Sequence, residues 1–367
     1  MLRHLLLAAA LIGAPQALWA EDVASQKGVI VADVAAPWLH VGSGISIPPR
    51  IGSFVRGTIQ QNGENQLDVA IGYEAPETHT TLTVYLFHAW LPQAPVWFDR
   101  IDAAMHSPQS NARLGGMLDA DPIITPFAPT GQSAATALRS AYAMTGNRVK
   151  ATGSAALPAG EWLVTIRMSS TTMDKAGLDA AIAEAAAAIA TPKPKREVEP
   201  AQPIAVCKDA MPLKAAKRAK PEMMDSLLAG IGMLGGDTDD KNADPSASPE
   251  KDAAKSAADA PAKPVVWCRD SSSKIEYGVY RDSSGDTPGY LIALGDAGIA
   301  AEVTPSLAGL ISGHKRFSVA LHLLDRDFSF APFTTLPTPE QVFAVVQNDQ
   351  PISSSDRSGN ISVSVPN

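Results

Sequence analysis

The feature that most constrains the fold is a long stretch of chain without any aromatic residue. Residues 191–264 contain no Phe, Trp or Tyr, although the 367-residue chain has 9 Phe, 6 Trp and 6 Tyr. The stretch is rich in Ala, Lys, Asp and Pro, so it buries too little apolar surface to offset the entropy lost on ordering. The sequence therefore predicts a disordered, low-complexity linker over residues 193–264, between folded domains at residues 21–192 and 265–367.

The first predicted domain combines hairpins with helices. Asn62-Gly63 lies between two strand-like runs, which is a strong hairpin signal. Residues 80–88 have high β-propensity and apolar side chains on both faces, which indicates a central strand. The pattern predicts an antiparallel sheet with helices packed on it. The predicted strands are 52–60, 66–73, 80–88, 150–157 and 161–168, and the predicted helices are 96–106, 133–144 and 171–190.

The second predicted domain is smaller and mainly β. Its predicted strands are residues 274–281, 289–294 and 316–330. Two short helices are predicted to begin at Thr304-Pro305 and Thr338-Pro339, because Pro is favoured in the first helical turn. Gln341 completes a capping box with Thr338. The predicted fold class is therefore α+β: an N-terminal antiparallel sheet with packed helices, a disordered linker, and a smaller β-rich C-terminal domain with two short helices.

The first 20 residues have the pattern of a secretory signal peptide. A basic start at Arg3 precedes a short apolar run over residues 5–14, and Ala20 offers a small residue for cleavage. The run is too short to span a bilayer, and no Cys follows it as a lipid-attachment site. We therefore expect a periplasmic protein that is neither a lipoprotein nor membrane-spanning after cleavage. The alternative is a buried N-terminal helix.

The chain has two cysteines, Cys207 and Cys268, which bracket most of the predicted linker. In an oxidising compartment such a pair is expected to form a disulfide. The runs 206–209 and 267–270 resemble each other, which is explained either by chance or by two strands that lie side by side. The functional alternative, a redox pair, lacks the Cys-x-x-Cys spacing of an exchange site.

Charge in the predicted linker is divided into two blocks. Residues 191–220 carry a net charge of +5, and residues 221–264 carry −5. Where the blocks meet, residues 221–234 have the apolar spacing of an amphipathic helix that begins at Pro221. The candidate interaction residues are three basic side chains and the apolar side chains of this segment: Lys217, Arg218, Lys220, Met223, Met224, Leu227, Leu228, Ile231, Met233 and Leu234.

Three roles are open for this Met-rich segment. A basic run followed by an amphipathic turn is suited to a partner's groove or to an anionic membrane surface. Met is adaptable on such surfaces. The third alternative is that the segment docks on its own domain or remains an apolar patch in a disordered loop, since Gly230 and Gly232 weaken it as an isolated helix.

Motifs that specify an enzyme class are missing from the sequence. It contains no Gly-x-Ser-x-Gly, Walker, Gly-x-Gly-x-x-Gly or His-Glu-x-x-His pattern. Ser271-x-x-Lys274 matches a serine–lysine pattern, but a predicted strand follows it where that chemistry requires a helix. The histidines have no metal-ligand spacing, so we predict no cofactor, no metal site and no catalytic residue. The Trp-Phe-Asp-Arg run at residues 97–100 is interpreted as core plus a surface ion pair.

The net charge of the chain bears on the class of partner that the protein binds. With 38 acidic against 30 basic side chains, the net charge of −8 makes nucleic acid a poor partner. The sequence favours an exported, non-enzymatic protein that binds an envelope protein or takes part in envelope assembly. One alternative is a secreted hydrolase whose site has no sequence motif. Another is a peripheral membrane protein that acts through residues 208–235 on an anionic membrane surface.

Overall fold

A computed structural model describes residues 28–192, 199–212, 214–226, 228, 265–285 and 288–364. These residues form two large β-sheets with helices packed on them, a mixed α+β architecture as the sequence predicted. The first part, residues 28–192, contains the strands β1 (Gly28–Ile30), β2 (Trp38–His40), β3 (Ile45–Ile47), β4 (Arg50–Ile51), β5 (Phe54–Gln61), β6 (Asp68–Ala75), β7 (Thr80–His88), β8 (Ile123–Phe127), β9 (Ala137–Ala143), β10 (Ala151–Ala159) and β11 (Trp162–Ser170). Strands β2 and β3 form a separate hairpin.

The first sheet is antiparallel, with the strand order β1-β5-β6-β7-β11-β10-β9-β8 and with β4 beside β5. The predicted central strand is confirmed, since β7 spans Thr80–His88 and lies between β6 and β11. The two predicted hairpins are confirmed as β5–β6 and β10–β11. The helices of this part are α1 (Ala94–Met105), α2 (Pro108–Leu114) and α3 (Lys175–Ala188).

The helix predicted over residues 133–144 is wrong, because this stretch contains strand β9. Leu138 and Tyr142 are four residues apart, a spacing that places two side chains on one face of a strand as well as of a helix. Both pack beside α1, whereas Ala137 and Ala141 pack on the face covered by α3. A strand covered on both faces shows no polar alternation, so its period was not readable.

The second sheet follows the order of the sequence from one edge to the other. Its first two strands are parallel and all later neighbours are antiparallel. Its strands are β12 (Ala205–Val206), β13 (Trp267–Arg269), β14 (Tyr277–Asp282), β15 (Tyr290–Leu294), β16 (Ile299–Pro305), β17 (Phe317–His322), β18 (Arg326–Phe333), β19 (Ser353–Asp356) and β20 (Ile361–Val363). Its helices are α4 (Leu307–Ser312) and α5 (Pro339–Asn348).

Two details of the second part differ from the prediction. Residues 316–330 were predicted as one strand, but they contain β17 and the first part of β18, which pair as a hairpin. The turn between them was not predicted because residues 323–325 contain no Gly, Pro or Asn. Thr304 and Pro305 end β16 instead of starting a helix, and Ser306 is the N-cap of α4. The capping box predicted at the start of α5 is confirmed.

The two sheets share an apolar cluster. From the first part, Phe87 and Trp97 enter this cluster, and from the second sheet Tyr280 and Leu291 enter it; all four are buried. The opposite face of the first sheet is covered by α3, and the opposite face of the second sheet is covered by α5. Alternate residues along the central strands therefore serve different layers of the core.

The structure differs from the predicted linker over residues 199–226, where the described residues lie against the folded parts. Ala201 packs beside α1, whereas Met211 and Ala216 enter the core between the second sheet and α5. These contacts use small and flexible side chains, so a segment without aromatic residues can still pack against the folded parts. Apart from Leu228, the rest of the linker and the predicted signal peptide lie outside the described residues.

Candidate interaction surface

Helix α4 turns its large apolar side chains away from the protein. Leu307, Leu310 and Ile311 are 48%, 68% and 66% exposed, whereas Ala308 and Gly309 are buried beneath them. An ordinary surface helix does the opposite, because its large apolar residues at positions i, i+3 and i+4 face the core. The exposed face of α4 is therefore an apolar surface that no other part of the described residues covers.

Small residues and caps hold α4 in this orientation. The Ser306 hydroxyl accepts a 3.3 Å hydrogen bond from the amide of Gly309, and Gly313 ends the helix with a φ of 72°. A Cβ at Gly309 would lie 2.6 Å from the carbonyl oxygen of His314, so a larger residue does not fit there. The close approach of backbone to backbone at Gly309 keeps this side inward and the leucines outward.

Residues 214–226 form the neighbouring part of this surface. Ala216 exchanges two 2.8 Å hydrogen bonds with the side-chain amide of Gln341 on α5. The amide of Ala219 donates a 2.8 Å bond to the carbonyl of Pro332, and the amide of Thr334 donates a 2.9 Å bond to Lys217. The segment is thus fixed along the end of β18 by backbone and amide hydrogen bonds.

A buried carboxylate joins this segment to α4. Asp225 accepts hydrogen bonds from the amide of Glu222 at 2.9 Å, the guanidinium of Arg316 at 3.1 Å and the hydroxyl of Ser306 at 3.4 Å. Ser306 is also the N-cap of α4, so one network holds both the turn and the helix. A buried carboxylate is stable only with such partners.

Two exposed methionines complete the surface. Met223 and Met224 are 62% and 49% exposed and directly precede the buried Asp225, which anchors their turn to the start of α4. We refer to these two residues together with the outward face of α4 as the apolar platform: Met223, Met224, Leu307, Leu310 and Ile311. Exposed apolar patches mark interaction sites on soluble proteins.

Only some of the interaction residues predicted from the sequence lie on the apolar platform. Met223 and Met224 lie on the apolar platform, while Lys217 and Lys220 are exposed on the chain that leads to it. Arg218 turns away: its guanidinium lies 4.7 Å from the Phe333 ring centre and forms an ion pair with Asp349.

The structure describes little of the predicted amphipathic segment after residue 226. Leu228 is helical and half-buried. All of Leu227, Ile231, Met233 and Leu234 lie outside the described residues. The helical spacing predicted for residues 221–234 is therefore described only at its beginning, where residues 223–226 are helical.

The exposed residues of α4 are not among the interaction residues predicted from the sequence. The sequence carries a signal, since Ser306 and Gly313 are typical residues for the two ends of a helix and the large residues between them have helical spacing. That spacing is the same for a buried and an exposed face. Only the packing of Gly309 decides between them.

The predicted disulfide is confirmed, and it fixes the start of the docked segment. Cys207 and Cys268 are bonded, with their Cα atoms 4.9 Å apart. Ala205 and Val206 pair in parallel with β13, so the two similar cysteine-containing runs do lie side by side. The bond ties the chain that leads to the apolar platform to the edge of the second sheet.

Buried polar groups lie at the junction of the two sheets. Asp99 accepts hydrogen bonds from Tyr280 at 2.7 Å and from Arg269 at 2.9 Å, and Arg100 donates a 3.0 Å bond to the carbonyl of Gly295. The predicted surface ion pair at Asp99 and Arg100 is therefore wrong, because both side chains are buried against the second sheet. Burial raises the pKa of Asp99, while the Tyr280 and Arg269 contacts oppose that change.

His322 occupies the same junction. Its ring stacks on Trp90 with 3.9 Å between ring centres, and its Nδ1 lies 2.7 Å from Asp327 Oδ1. Its Nε2 lies 3.8 Å from a carboxylate oxygen of Glu302. Burial alone would lower the pKa of His322, but the two carboxylates outweigh burial and raise it above the ordinary value.

The pKa of His88 is shifted in the opposite direction, below its ordinary value. His88 is mostly buried, with its ring 5.3 Å from that of Trp162. Burial lowers the pKa of His88 to about 3, and the charge of Arg357 adds to this effect. In mildly acidic solution, below a pH of about 6.5 and above about 3, His322 is therefore protonated while His88 is neutral.

Within the described residues, no group of three or more His, Cys, Asp or Glu side chains is arranged to hold a metal ion. No helix among them is long and apolar enough to cross a membrane. No protein-family model, curated protein or solved structure matches this chain.

Proposed function

We propose that this protein is an exported, non-enzymatic interaction protein that binds another surface in the cell envelope through the apolar platform. The observation that carries the proposal is the outward orientation of Leu307, Leu310 and Ile311 on α4. Exposed aliphatic side chains favour association because they are removed from water when they are covered.

The construction of the platform supports a role in binding. Asp225 and Ser306 are both buried and bonded to each other, so the turn and the helix keep a fixed relation before any partner arrives. A surface that is already ordered loses less entropy on binding than a disordered one. The exposed Met223 and Met224 add side chains that adapt to the shape of a partner.

The proposed location rests on the sequence of residues 1–20 and on the disulfide. A stable disulfide between Cys207 and Cys268 is typical of oxidising compartments such as the periplasm. Export would place the apolar platform in contact with the components of the cell envelope. The alternative is a secreted hydrolase whose site has no sequence motif.

Photocrosslinking in intact cells tests this proposal. A photoreactive amino acid is placed at Leu310, and in a matched control at Leu39, which is 57% exposed on the β2–β3 hairpin of the first part. Adducts are detected both as shifted bands and by intact mass, so that protein and lipid partners are both seen.

The proposal predicts an adduct from position 310 that is several times more abundant than any adduct from position 39. Equal yields at both positions would show that exposure alone determines capture. The absence of any adduct at position 310 would likewise overturn the proposal.

A further inference from the structure

The charge around the apolar platform is opposite in sign to that of the whole protein. Residues 214–226 and 306–316 contain six Lys or Arg side chains and two carboxylates, in a chain whose net charge is −8. Both carboxylates, Glu222 and Asp225, are bound by Arg316. Both acidic groups next to the platform are therefore paired with one guanidinium, which offsets one of their two negative charges.

Lysines make up the remaining charge of this region. Four lysines of these two segments are exposed and form no ion pair with another described residue: Lys214, Lys217, Lys220 and Lys315. The exposed His314 lies next to Lys315 at the end of α4. The segments that carry the apolar platform therefore also carry exposed lysines.

This pattern fits a lipid surface better than a protein groove. Lys is depleted in protein–protein interfaces, where aromatic residues and Arg are enriched. The apolar platform has no aromatic residue. Aliphatic side chains that face outward beside lysines are typical of segments that lie in the interface of a membrane, where a long Lys side chain keeps its charge at the head groups.

We infer that the apolar platform binds an anionic phospholipid bilayer. Leu307, Leu310 and Ile311 enter the boundary between head groups and acyl chains, and Lys220 and Lys315 lie at the level of the anionic head groups. The inference rests on the proposed function, since it names the surface that the platform binds. Each lysine near an anionic surface contributes about fivefold to the membrane affinity, and this contribution is screened by salt.

Vesicle cosedimentation with the purified full chain tests the inference. The vesicles contain either phosphatidylglycerol with phosphatidylcholine or phosphatidylcholine alone. The variants are Leu310→Asp on the platform and Leu39→Asp as a control, which makes the same change in charge at another exposed leucine. Thermal unfolding of each variant verifies that it is folded.

We expect the wild-type protein and Leu39→Asp to sediment with the anionic vesicles and to be released at high salt. Leu310→Asp should bind at least about tenfold more weakly, because it puts a charge where an apolar side chain enters the bilayer. Lys220→Glu with Lys315→Glu should weaken binding at low salt by about 25-fold or more, because two fivefold contributions are lost.

Three results would overturn the inference: no binding to anionic vesicles, equal binding to neutral vesicles, or equal losses in Leu310→Asp and Leu39→Asp. The crosslinking experiment separates this failure from failure of the proposed function. A protein adduct at position 310 without vesicle binding would remove the lipid as partner and leave a protein in its place. The absence of both would remove the binding function itself.

Discussion

Tyr280 on β14 donates a 2.7 Å hydrogen bond to Asp99 on α1, and this bond connects the second sheet to a helix of the first part. Both residues are buried, and Arg269 binds the other carboxylate oxygen of Asp99. A buried carboxylate that loses a partner retains the cost of its desolvation. The junction therefore depends on polar contacts as well as on the shared apolar cluster.

Tyr280→Phe should lower the free energy of unfolding by roughly 1.5–3 kcal/mol, the usual range for a hydrogen bond to a charged group. Tyr85→Phe is the matched control, because Tyr85 packs at the edge of the same cluster and its hydroxyl bonds no other described residue. Urea denaturation of the three proteins provides the measurement. Equal stability of both variants would contradict the role assigned to Asp99.

His88 should make the protein less stable in acid. Its pKa is about 3 in the folded protein, against about 6.5 in an unfolded chain. Between these two values the unfolded chain binds more protons, so stability falls by up to about 1.4 kcal/mol for each pH unit below about 6.5. Unfolding free energies of wild type and His88→Gln are compared from neutral to acidic pH. The variant should lose stability less steeply, and parallel curves would disprove the effect.

His322 should act with the opposite sign. Its pKa is raised in the folded protein, so its stabilising contribution is complete below about 6.5 and is lost as the pH rises through the raised value. The stability advantage of the wild type over His322→Gln should thus be greatest in mild acid and shrink as the pH rises. Denaturant titrations across that range measure the difference. An advantage that is constant or grows with pH would show that the charged ring does not stabilise the junction with Trp90 and Asp327.

The disulfide should contribute strongly to stability because it closes a long loop. Cys207 and Cys268 are 61 positions apart, for which the chain-entropy model gives roughly 4 kcal/mol. The double variant Cys207→Ser, Cys268→Ser should be less stable than the oxidised wild type by about this amount. The reduced wild type should resemble the variant. Equal denaturation midpoints for the oxidised and reduced protein would contradict the expectation.

Local patterns predicted those elements whose signals lie in neighbouring residues. The hairpin around Asn62-Gly63 follows from turn chemistry, the central strand at residues 80–88 from β-propensity, and the start of α5 from its capping residues. Strand β9 was not readable, because α1 and α3 cover both of its faces and remove the polar alternation. Its Leu138 and Tyr142 fit a helix equally well.

The candidate site was predictable only in part, because it depends on contacts between distant residues. Met223 and Met224 stand out in the sequence as an apolar pair beside basic residues. The outward face of α4 does not, since it results from the close packing of Gly309 and from the bond between Ser306 and Asp225, 81 positions apart. The buried positions of Asp99 and Arg100 likewise depend on a second sheet that begins more than a hundred residues later.

Methionine oxidation in intact cells tests most directly whether the apolar platform is covered in its natural setting. Met223 and Met117 are equally suited as probes, because they are 62% and 63% exposed, and Met117 lies in the first part, before β8. A mild oxidant is applied to cells and to the purified protein, and mass spectrometry follows each methionine. The account predicts that Met223 and Met224 oxidise several times more slowly in cells than in the purified protein, while the rate at Met117 is unchanged. Equal rates at Met223 in both settings, relative to Met117, would contradict it.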